Sequence, residues 1–111
     1  MKIESIHDPT SLVKSAHQIH VGENCVTVVL HFKEPPFFSY VRGGNLIVKF
    51  ERFEDGVVGG DLVTRVVGAV HQVVIKCSTP VCSFWDSRQG SDLTLILFGD
   101  GILPWEEVKI R

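Results

Sequence analysis

Runs of basic residues are missing from this chain. Its 11 Lys and Arg against 13 Asp and Glu leave a net charge of -2, and every cation from Lys2 to Arg111 stands singly. No stretch can neutralise several adjacent phosphates, so the sequence-independent attraction behind most nucleic-acid binding is lacking and nucleic acid is not an expected partner. Long apolar runs are missing too. The opening MKIESIHDPTS holds no signal-peptide core, and no window approaches the roughly 18 apolar residues that span a bilayer. These absences set the expectation of a cytoplasmic protein without a membrane partner. Cysteine is scarce, with Cys25, Cys77 and Cys82 forming an odd set, so reduced thiols are expected rather than a disulfide framework. No internal repeat, low-complexity tract or linker divides the chain. With 111 residues, 44% hydrophobic and 22% charged, the expectation is a single domain over residues 1–111 with one core.

The motifs of familiar chemistry are missing as well. VRGGN, GVVGGD and FGDG match neither GxxxxGK[ST] nor GxGxxG and read as turn glycines rather than phosphate cradles. His17 and His20, three apart, together with Cys77 and Cys82 of CSTPVC, are the best metal candidates. Structural zinc draws on tighter cysteine pairs, and no metal or other cofactor is expected. No GxSxG elbow occurs, and neither a cysteine–histidine pair nor His7 beside Asp8 assembles by spacing alone. The carboxylates Glu51, Glu54, Asp55, Glu106 and Glu107 read as solvated strand edges. No catalytic residue is assigned, and an enzymatic role is the weaker expectation.

What the chain does contain is apolar periodicity. Lys2 to Ile6 reads as a short strand. Asp8 before Pro9 looks like a helix start, and Leu12, Val13, Ala16 and Ile19 recur at helical spacing, which predicts about three turns ending before Gly22. Asn24 to Lys33 alternates, with Val26, Val28, Leu30 and Phe32 on one face. Phe37 to Arg42 and Asn45 to Phe53 flank Gly43 and Gly44, the chemistry of a two-residue hairpin turn. The implied register sets Val41 against Leu46, Ser39 against Val48 and Phe37 against Phe50. Asp61 to Cys77 fits either a helical stripe or strands. Its many valines and Gly68 favour strands, bent near that glycine. Asp92 to Phe98 reads as a strand, Gly99 to Gly101 as a turn and Trp105 to Ile110 as a last strand.

These elements predict a predominantly antiparallel β fold with one short N-terminal helix, an α+β arrangement in which the sheet wraps on the helix. An all-β sandwich or open barrel is the alternative.

Two segments resist a purely structural account. Ser83 to Asp92, SFWDSRQGSD, is expected to be a loop that sets Phe84 and Trp85 before Asp86 and Arg88, a composition favoured at interfaces and ligand mouths. In EPPFFSY, Phe38 and Tyr40 fall on the hairpin face opposite Phe37 and Val41, so that face is either covered or free for a partner. The candidate binding residues are therefore Phe38, Tyr40, Phe84, Trp85, Asp86 and Arg88. The expected function is that of a small non-catalytic accessory or binding domain, acting on a protein partner or on itself as a homodimer or larger homo-oligomer. The alternative is a small-molecule binder or enzyme with a pocket between sheet and helix.

Overall fold

The computed structural model describes residues 1–51, 53–58, 62–67 and 71–99, the second and third of these segments by their backbone alone. Among these residues the chain forms ten strands: β1 (Ile3–His7), β2 (Val13–Val21), β3 (Cys25–Phe32), β4 (Phe38–Arg42), β5 (Asn45–Phe50), β6 (Phe53–Val58), β7 (Leu62–Val67), β8 (His71–Cys77), β9 (Val81–Gln89) and β10 (Asp92–Gly99). Two antiparallel four-stranded sheets result, ordered β1-β8-β5-β4 and β2-β3-β10-β9, while β6 and β7 pair as a separate hairpin. Neither four-stranded sheet closes into a barrel, so each keeps two edge strands.

Alternation builds the core. In β3, Val26, Val28, Leu30 and Phe32 are buried, and β10 places Leu93, Leu95 and Leu97 beside them. From the other sheet, Leu46, Val48 and Phe50 of β5 and Val73, Ile75 and Cys77 of β8 join the same cluster. Phe32 and Phe50 meet edge to face across the two sheets, with ring centroids 4.9 Å apart. Each sheet therefore buries one face against the other, as its period-two pattern requires.

The Gly43-Gly44 turn has positive φ at both glycines, 59° and 79°, which is the primed geometry that matches strand twist. Its register pairs Arg42 with Asn45, Val41 with Leu46 and Ser39 with Val48. A second two-residue turn, Gly90-Ser91, joins β9 to β10.

Two expectations are overturned. The α+β fold with a sheet wrapped on an N-terminal helix is wrong: among the described residues there is no helix, and Val13–Val21 is a strand paired with β3. Asp8 does bind free amides, accepting from Leu12 N at 2.9 Å and Val13 N at 2.8 Å, but it closes a turn into β2 rather than capping a helix. Ser11 completes that turn with φ 54°. The helical spacing has a geometric origin in two bulges, between Val13 and Ser15 and between Gln18 and His20. They stretch the spacing of residues on one face from two to three, so Val13, Ala16, Gln18 and Val21 lie opposite Phe32, Leu30, Val28 and Val26. Of the residues at helical spacing, Val13 and Ala16 belong to this series, whereas Leu12 is buried just before β2 and Ile19 sits in the second bulge, 64% exposed.

The second correction concerns Ser83 to Asp92. Only Gly90 and Ser91 form a turn, and Ser83 to Gln89 belongs to β9, which pairs with β10 through Phe98↔Ser83 to Asp92↔Gln89. Between Asp61 and Cys77 the described residues are the strands β7 and β8. The expected bend at Gly68 and the expected last strand, Trp105 to Ile110, lie outside the described residues.

Candidate functional site

The edge strands β4 and β9 lie at the same side of the two sheets, and a cleft of about 310 Å³ opens between them. Pro36, Phe37, Phe38 and Ser39 line one wall, and Phe84, Asp86, Arg88 and Leu93 the other. Strand alternation explains the second wall: Phe84, Asp86 and Arg88 sit opposite Leu97, Leu95 and Leu93 and share their face. Four of the six candidate residues, Phe38, Phe84, Asp86 and Arg88, are thus brought together.

The other two are not. Trp85 pairs with Ile96 and projects from the reverse face of β9, where it is 49% exposed. Tyr40 stacks on Phe38, with centroids 5.6 Å apart, and lies under the ammonium of Lys49 at 5.7 Å. Phe37 was missed as a binding candidate because it was assigned to the apolar face of the hairpin. It precedes β4, packs edge to face on Phe38 and is 51% exposed. The preceding Pro35-Pro36, which ends the earlier strand, was the available signal.

Arg88 holds the cleft together. Its Nη1 donates to the carbonyl oxygens of Pro36 and, at 2.9 Å, of Phe37, tying the chain before β4 to β9. Neutral carbonyls do not cancel the guanidinium charge, and among the described residues Nη1 is the one of its three nitrogens that is engaged. Among the described residues no donor or cation is bonded to the Asp86 carboxylate two positions away. The cleft therefore carries one charge of each sign above an apolar floor of Phe84 and Leu93.

Backbone direction adds to the side chains. The two-residue turn makes Gln89↔Asp92 a hydrogen-bonded pair, and alternation then turns the N–H and C=O of Phe84, Asp86 and Arg88 away from β10, towards the side of β9 on which no other described strand pairs. Phe84, Asp86 and Arg88 thus present both their side chains and their main-chain bonding groups, whereas the main-chain groups of Trp85 face β10.

Elsewhere the polar groups are dispersed. His31 Nδ1 lies 2.7 Å from Asp92 Oδ1, and the His17 ring is 5.8 Å from that of His31, on the sheet face opposite the core. Cys77 is buried, which pushes its thiol up to about 11, while Cys82 is exposed on β9. Among the described residues no three metal-ligating side chains group closely enough to hold an ion. Nor, among them, is any helix long and apolar enough to cross a membrane. Compared with known proteins, the chain matches no protein-family model, no curated protein and no solved structure.

Proposed function

We propose that this chain is a non-catalytic binding domain that meets a protein surface through the β9 edge and the cleft beside it. One observation carries the reading: Phe37, Phe38 and Trp85, three of the five large apolar side chains that stand exposed among the described residues, flank β9 on its two faces. Exposed aromatics beside an arginine are the composition enriched at the centres of protein interfaces, where rigid rings bury much area at little entropic cost. A small-molecule reading would use a pocket between sheet and helix; among the described residues there is no helix, and Trp85 and Arg88 lie on opposite faces of β9.

Cross-linking mass spectrometry on the purified chain and in extract tests this, comparing the native sequence with a variant carrying Phe37→Ser, Phe38→Ser and Trp85→Ser. The expected result is that cross-links from the β4 and β9 edges, to a partner or to a second copy, disappear in the variant while its circular dichroism is unchanged. Cross-links that persist unaltered in the variant, or a native chain that forms none, would overturn the proposal.

A further inference from the structure

We infer that the occupant of the β9 edge is a second copy of this chain, joined antiparallel, strand to strand, about a two-fold axis at Ser87. This rests on the binding role proposed above and names the partner.

The first support is the edge itself. Exposed edges are usually blunted, and β2 carries two bulges while β1 has an irregularity between Ile3 and Ser5. The edge strand β4 is regular but has five residues, whereas β9 has nine and runs without a register shift from Ser83 to Gln89. It leaves the main-chain groups of Phe84, Asp86 and Arg88 aligned for a further strand. Such an edge invites β-augmentation.

The second support is charge complementarity, which selects one register. Only residues whose backbone points outward can form hydrogen-bonded pairs, so Phe84, Asp86 and Arg88 must oppose one another or a neighbour of the same parity. Setting Asp86 against the second copy's Asp86, or Arg88 against the second copy's Arg88, places like charges directly opposite, which is destabilising. Moving the axis to Ser87 instead sets Asp86 against the second copy's Arg88 and, by symmetry, Arg88 against the second copy's Asp86. Two opposite-charge pairs and four main-chain hydrogen bonds form together. The Asp86 carboxylate, unbonded among the described residues, gains its cation. On the reverse face the same register lays the second copy's Gln89 beside the exposed Trp85. The result is a continuous eight-stranded sheet from two four-stranded ones. Edge pairing buries less than the roughly 1,200 Å² of a stable standard interface, so a weak, concentration-dependent dimer is expected.

Sedimentation velocity from about 10 µM to about 1 mM tests this, a range set by the affinity of small interfaces. The native chain is expected to dimerise within it. Asp86→Arg alone, and Arg88→Asp alone, create like-charge pairs and should each weaken association at least about tenfold. Mixed in equal amounts, the two variants form Arg–Asp pairs at both positions and should regain a 1:1 dimer. Because Arg88→Asp also removes the bonds to Pro36 and Phe37, a second measurement uses the native chain alone. On dilution, the amide resonances of Phe84, Asp86 and Arg88 should shift more than those of Trp85 and Ser87, whose N–H groups face β10. A native chain that stays monomeric at about 1 mM overturns this inference. So does a folded variant pair that fails to associate on mixing, or dilution shifts confined to other strands. Cross-links to a different protein that vanish in the triple Ser variant, together with a monomeric native chain, would leave the binding role standing and remove only the second copy.

Discussion

If the two sheets are held face to face by their inner residues, Phe32 and Phe50 should be energetically coupled. Phe32 is on β3, Phe50 on β5, and both are almost wholly buried. Their rings meet at 75° with centroids 4.9 Å apart, in the edge-to-face range where aromatic pairs contribute about 0.5–1.5 kcal/mol beyond the area they bury. Replacing either by Leu keeps a buried apolar group and removes the ring contact, and should cost about 1–3 kcal/mol. The double variant loses that contact only once. It should therefore be less destabilised than the sum of the singles, by about 0.5–1.5 kcal/mol. For a domain of this size about 1 kcal/mol corresponds to roughly 4 °C in Tm, so each single variant melts several degrees lower. Urea denaturation at equal slope for all four proteins supplies the cycle. Strict additivity would mean that these rings do not touch, and would refute the face-to-face packing of the two sheets.

Other consequences are as direct. Gly44 has φ 79°, and a Cβ there would stand 3.0 Å from Pro80 Cβ, whereas Gly43 has open space around it. Gly44→Ala should therefore cost about 1–2 kcal/mol or more, and Gly43→Asn less than about 0.5 kcal/mol, by chemical denaturation. Asp8→Ala removes the acceptor of two amides at the entry to β2 and should cost about 1–3 kcal/mol, against a change within about 0.5 kcal/mol for Asp92→Ala in its exposed pair with His31. The Cys77 thiol rises from 9.0 to about 11, through burial first, with the amino terminus opposing and Glu4 adding to the shift. The folded state thus holds this proton more tightly than the unfolded one. Its contribution is complete below pH 9.0 and falls away as pH climbs towards about 11, a loss that Cys77→Ala should flatten in denaturation measured across that window. At pH 8 an alkylating reagent should modify Cys82 and spare Cys77, as intact-mass measurement would show.

Much of the frame was legible from spacing. The alternation of Val26, Val28, Leu30 and Phe32 is the buried face of β3, and the Gly43-Gly44 turn sets the register that pairs Arg42 with Asn45. These features are local: turn geometry and a period of two are decided within a few residues. The candidate site was legible only in part. Phe84, Asp86 and Arg88 were named from composition, yet as members of a loop, and Trp85 was grouped with them although strand alternation turns it the other way.

Composition and period by themselves determined that the chain is rich in antiparallel β-strands, where the Gly43-Gly44 turn lies and which side chains of β3 form the core. Tertiary structure alone decided that residues 13–21 are a strand, because a bulge is visible only against the partner whose register it breaks. It alone decided that the polar run through Arg88 is a strand, because β10 supplies a complete ladder that outweighs weak local propensity. The meeting of Phe38 with Phe84, Asp86 and Arg88 was decided there too. They are distant in sequence, and only the stacking of two sheets brings the edges β4 and β9 to one cleft.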